Sequence, residues 1–115
     1  MVYDLEQMTL SFSRSVLRLC KKLRQDSVSK PVISQVVRSS GSISANYIEA
    51  NEKLSQKDFL MRLRVARKGA KETTYWLNIL KEIIPVDVEL EELTEESRQL
   101  NKILSTIIYK TEHKQ

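Results

Sequence analysis

Residues 44–80 read SANYIEANEKLSQKDFLMRLRVARKGAKETTYWLNIL, and their register decides the fold. From Phe59 onward the apolar and small residues fall at Phe59, Leu63, Ala66, Ala70, Thr73, Leu77, Leu80 and Ile84. Steps of four and three alternate without a break, which keeps one stripe on one side of a helix. Strand alternation fails, because Leu60-Met61 and Ile83-Ile84 are adjacent apolar pairs. Ser55 marks the start, with Asp58 following in the first turn. A serine hydroxyl can take an orphan N–H there, and an acid suits the positive end of the helix. Pro85 marks the stop, since proline lacks an N–H and disfavours helix at the residue before it. The spacing predicts a helix over 55–84, about 43 Å long at ~1.5 Å per residue, which suits a bundle.

The remainder of this helix is unevenly polar. Val65, Trp76, Ile79 and Ile83 widen the apolar sector to one side, while Arg64, Arg67, Lys68, Lys71 and Lys81 occupy the other. A monomeric bundle needs a stripe only about 100° wide. The surplus fits either a second buried contact between subunits, through Val65, Trp76, Ile79 and Ile83, or a wide core face with a partly exposed Trp76.

At 115 residues the chain makes one domain, 1–115, long enough to bury a core. Two Gly, two Pro and 30% charged residues, rich in Leu, Lys, Glu and Arg, point to helix. A net charge of +4 is compatible with nucleic acid or an anionic membrane, but charge alone sets solubility and non-specific attraction. The single Cys20 cannot form an internal disulfide; within its apolar segment it reads as a small core residue in a reducing cytoplasm. No run approaches the ~20 apolar residues of a membrane span. Asp4 and Glu6 at the start argue against a signal peptide, so a cytoplasmic location is expected.

Three further helices flank the central one. The first is expected at about 3–24, with the stripe Leu5, Met8, Phe12, Val16, Leu19 and Leu23 and a basic end at Lys21, Lys22 and Arg24. The second is expected at about 30–51, with Ser29 as its cap and Pro31 in its first turn. Its centre, Ser39-Ser40-Gly41-Ser42, consists of poor helix formers. The apolar rhythm runs through them, which favours one helix and a close crossing, with Ser40 against Ala70 and Glu49 paired with Arg62 or Arg64. The fourth is expected at about 88–111, capped by Asp87, with acids crowding its first half and a frayed end over 110–115. Short connections make successive helices antiparallel neighbours. The fold class is therefore all-α, an antiparallel up-down four-helix bundle.

Catalytic chemistry is not visible. The one histidine, His113, lies at the end of the chain without a second His or Cys nearby, so no metal-ligand set or Cys-His pair forms. Gly41 and Gly69 are isolated inside helices and build no phosphate loop. No cofactor, metal or small-molecule substrate is expected, and the chain reads as a non-enzyme.

SISANYIEAN at 42–51, then Ser55, Lys57-Asp58-Phe59, Ala66, Lys68, Ala70, Glu72-Thr73 and Tyr75-Trp76-Leu77, carry a resemblance. The chain resembles the small four-helix-bundle proteins encoded within intervening sequences of bacterial 23S ribosomal RNA genes. The likeness is specific through the combination of these pieces and runs more loosely over nearly the whole chain. One departure is Gly69, where the family usually carries Glu; glycine costs about 1 kcal/mol in a helix interior. The resemblance implies assembly as a ring-shaped homopentamer. The accessory proteins of diversity-generating retroelements are similar, as basic pentamers that bind reverse transcriptase and nucleic acid.

Two functions follow as expectations. In the first the protein binds RNA or DNA through a basic surface made of Arg64, Arg67, Lys68 and Lys71, with Lys57 and Arg38 added. A ring would repeat that surface and sum many phosphate contacts with little sequence readout. In the second it is an interaction scaffold for a partner such as a reverse transcriptase, without touching nucleic acid. The bland alternative for the basic residues is a solvated helix face.

Overall fold

Each helix starts where a short acid or hydroxyl side chain can take orphan N–H groups. In the computed structural model, which describes residues 4–52, 54–85 and 87–114, α1 spans Leu5–Lys21, α2 Ser29–Ala50, α3 Gln56–Leu80 and α4 Val88–Glu112. Asp4 accepts from the Gln7 N–H, Ser55 from Asp58 and Asp87 from Leu90. The entry to α2 differs from the sequence expectation. Ser29 is buried inside the helix, and the Asp26 carboxylate takes the N–H groups of Val28 and Ser29 at 3.0 and 2.8 Å. Those bonds, from Ser29 first, hold the Asp26 carboxyl below its ordinary range.

The helix ends also move. α1 stops at Lys21 rather than Arg24, and its expected start at Tyr3 lies outside the described residues. α3 stops at Leu80 rather than Ile84. Ahead of Pro85 the chain tightens, with the N–H groups of Ile83 and Ile84 both donating to the Leu80 carbonyl. α4 runs through Lys110 and Thr111 to Glu112, where fraying was expected. Its last turn is tied down by an ion pair from Glu112 to Arg64 and by His113, whose N–H donates to the Tyr109 carbonyl.

Cross-links at the ends give the topology. At one end the Asn51 amide donates to Glu6 at 3.0 Å, and Arg64 pairs with Glu112. At the other, Lys22 meets Glu89 at 2.8 Å and Lys81 meets Glu91 at 3.3 Å. Successive helices are therefore antiparallel, and α1 returns beside α4 in an up-down bundle of 50 × 25 × 19 Å. Phe12, Val16 and Leu19 of α1, Val36 and Ile43 of α2, Leu63 and Leu77 of α3, and Leu100 and Leu104 of α4 are all buried in its axis. There is no strand among the described residues.

The tightest contact is between α2 and α3. The serine-rich centre of α2 is unbroken helix. Gly69 lies against it so closely that a Cβ there would be 3.2 Å from the Ser39 carbonyl oxygen and 3.2 Å from Ile43 Cγ1. A 2.9 Å hydrogen bond joins the Ser39 and Thr73 hydroxyls across the same crossing. The small residues thus do let two backbones approach, with Gly69 on Ser39 and Ile43 and the adjacent Ser40 and Ala70 both buried. Glu49 is exposed and makes no ion pair with Arg62 or Arg64. It lies about 120° around α2 from Ile43. Arg62 turns instead to donate to the side-chain amide oxygen Oδ1 of Asn46 at 3.5 Å, and Arg64 is taken by Glu112.

Candidate nucleic-acid interface

Four basic residues of α3 face α4, and the two helices leave a groove between them. Arg64, Arg67, Lys68 and Lys71 line it from α3, Asn101 and Ser105 from α4, around a volume of about 420 Å³. Successive turns bring residues three and four apart onto one side of α3, which is why these four side chains share one wall. A second recess of about 360 Å³ shares Lys71 and Asn101 and continues the groove past Thr74, Tyr75 and Asn78 to Arg98 and Lys102.

Four of the six cations expected from the sequence are therefore brought together. Lys57, exposed in the first turn of α3, and Arg38, exposed on α2, do not line this groove. Lys81 is half-buried and paired with Glu91. The contribution of α4 was missed: Arg98 and Lys102, and Asn101 and Ser105, each lie four apart, beside the core stripe. The signal was in the sequence, but the register between α3 and α4 decides which neighbour such a stripe faces.

Part of the positive charge is already compensated. Arg64 pairs with Glu112, Lys68 lies 3.9 Å from Glu72, and Arg98 lies 3.3 Å from Glu95. These pairs are surface-exposed and screened by water and salt, so each is worth little and yields to a stronger anion. Arg67, Lys71 and Lys102 have no ion-pair partner among the described residues. The groove thus presents an excess of positive charge with amide and hydroxyl groups between, a lining suited to phosphate oxygens.

The apolar surplus of α3 lies on its other side. Val65 is exposed, next to exposed Met61 one turn earlier. Trp76 is half-buried against the core, and Ile79 is half-buried. Ile83 departs from this group. It lies beyond the end of α3 and packs on the core, lining a recess with Leu23 and Ser29 at the α1–α2 connection.

Other chemistry is sparse. Cys20 is buried, and burial pushes its thiol up to about 11, so it is protonated and unreactive at neutral pH. No cluster of three His, Cys, Asp or Glu side chains suited to a metal occurs among the described residues. No described helix is long and apolar enough to cross a membrane.

Comparison with known proteins matches this architecture. A protein of unknown function from the S23 ribosomal protein family of Bacteroides thetaiotaomicron, seen in a crystal structure, is 30% identical. It superposes with a TM-score of 0.79 over 90% of this chain and 96% of that one. No protein of curated description matches the chain. The family described as 23S rRNA-intervening sequence protein matches residues 3–106, a span that takes in the whole α3–α4 groove. The chain therefore belongs to the 23S rRNA-intervening sequence protein family.

Proposed function

We propose that this chain is a non-enzymatic, cytoplasmic nucleic-acid-binding protein that holds phosphates in the α3–α4 groove and works as a ring-shaped homopentamer. The observation that carries the reading is the convergence of Arg64, Arg67, Lys68, Lys71, Arg98 and Lys102 on one groove, three of them without ion-pair partners among the described residues. A scattered solvated face would leave such cations on separate surfaces; here two helices contribute to one wall-lined channel. The exposed Val65 and half-buried Trp76 lie about 100–140° around α3 from the groove residues Arg64 and Lys71. That side is free for contact between copies while the groove stays open. Each copy then adds its phosphate contacts to those of its neighbours.

The test is a salt titration of binding to a structured RNA and a DNA duplex, on material whose mass is fixed by light scattering. Affinity should fall steeply with salt, with log K losing about 0.9 per log salt for each duplex phosphate engaged. The triple variant R67A/K71A/K102A should weaken binding to every sequence alike and flatten that slope by about one for each cation removed that held a phosphate. Absence of binding at low salt from a well-formed oligomer would overturn the proposal and favour a scaffold for a partner protein such as a reverse transcriptase.

A further inference from the structure

One exposed tyrosine lines the groove, and a second stands on α4 beyond its lining. Tyr75 lines its far recess beside Lys71, Arg98 and Lys102 and is 56% exposed. Its ring is braced edge-on by Trp76, at 4.9 Å between centroids and 81° between planes. Tyr109 is 62% exposed. It lies on the same side of α4 as Arg98 and Lys102, at about 100° per residue, and one turn before the Glu112 that pairs with Arg64 at the opposite end of the groove. Its ring stacks on His113 at 4.0 Å. Leaving a tyrosine ring in water forfeits the burial that usually stabilises it. Here two rings are each held by an aromatic neighbour, and cations run between them.

We infer that the nucleic acid held in this groove is single-stranded, with its phosphates on Arg67, Lys71 and Lys102 and unpaired bases stacked on Tyr75 and Tyr109. This rests on the nucleic-acid reading given above. The shape argues for one strand. A duplex is read by elements that protrude into its grooves, such as a helix in the major groove, whereas these cations line a concave channel between two helices. The aromatic rings argue the same way, because a base face is available for stacking only when the base is splayed from its neighbours. The interval fits as well. From Arg64 to Tyr75 along α3 is about 16 Å at ~1.5 Å per residue. Charges along a strand are about 3.4 Å apart when its bases are stacked and farther apart when they are splayed, so the row of cations spans no more than about five phosphate intervals. Stacking on tyrosine accepts any base, which gives affinity for a single strand without a sequence code.

The test compares short single strands of RNA and of DNA with their own blunt duplexes, by fluorescence anisotropy at one salt concentration, on the intact protein. At least one single strand should bind more tightly than its duplex. Y75A and Y109A should each weaken that binding about tenfold, with duplex affinity unchanged, and Y75F and Y109F should restore it. Both positions are exposed, and circular dichroism and thermal melting confirm that each variant is folded. Equal or tighter binding of both duplexes would overturn the inference while leaving nucleic-acid binding intact. So would loss-free Y75A and Y109A variants whose binding keeps its salt dependence. Binding to none of the four probes would overturn the nucleic-acid reading itself.

Discussion

Glu96 and Cys20 are two residues whose ordinary ionisation the fold opposes. Glu96 is half-buried on α4 in no ion pair among the described residues, and desolvation raises its carboxyl above the usual range. The unfolded chain then loses its proton at a lower pH than the folded one, so this group favours folding below its ordinary pKa and the advantage is lost as pH rises through the folded value. Glu96→Gln should therefore stabilise the fold at pH 7 by less than ~1 kcal/mol, because the group is still partly wet, and so raise its melting temperature. The gain should vanish near pH 3, where both forms are neutral. An equal gain at both pH values would show that charge is not the cause. For Cys20 the same sign applies at the alkaline end. Its thiol ionises near 9.0 when free and near 11 in the core, so its contribution is complete below pH 9 and lost between pH 9 and 11. Cys20→Ala should cost ~1 kcal/mol at pH 7, and denaturant titrations should show its deficit narrowing as pH approaches 11. A deficit constant over that range would refute the shifted thiol.

The two glycines separate local propensity from packing at the level of the helix pair. Both sit mid-helix, where alanine is better by about 1 kcal/mol. A Cβ on Gly41 would meet nothing within 4 Å, so Gly41→Ala should stabilise by up to about 1 kcal/mol. A Cβ on Gly69 would press at 3.2 Å on the Ser39 carbonyl and on buried Ile43, neither of which moves without shifting α2. Overpacking of this kind costs about 1–3 kcal/mol, which outweighs the propensity gain, so Gly69→Ala should lower the melting temperature. A rise for Gly69→Ala would mean that the crossing has slack. These positions also mark what could be read from the sequence. The stripe from Phe59 to Leu80, the caps at Ser55 and Asp87 and the unbroken α2 were legible, because each follows from residues within a turn of one another. The Asp26 entry to α2 was hidden behind Ser29, a better-looking cap that the core claims instead. Gly69 looked like a cost until the distance to α2 gave it a reason.

At the scale of the molecule, the limit is the register between helices. Arg64, Arg67, Lys68 and Lys71 were legible as one side of α3, but nothing local says which helix they face, so Arg98 and Lys102 could not be added from the sequence. The same geometry makes the bundle uneven. The α2–α3 pair is the most extensive contact, joined by the Gly69 crossing, while α1 rests on α2 and only brushes α4. α1 is also the shortest helix and leaves Leu17 exposed. Local stability follows such differences in packing. In native-state hydrogen exchange, mid-helix amides of α1 should therefore open at least ~1 kcal/mol more easily than those of α2 and α3, whose slowest amides should report global unfolding. The measurement also tests the proposed assembly, because contact with a second copy would make protection depend on protein concentration. Protection of α1 that rises with concentration to match α3 would place α1 under a second copy. Equal protection at every concentration would mean that the bundle unfolds as one unit and that the weaker contact of α1 has no energetic consequence.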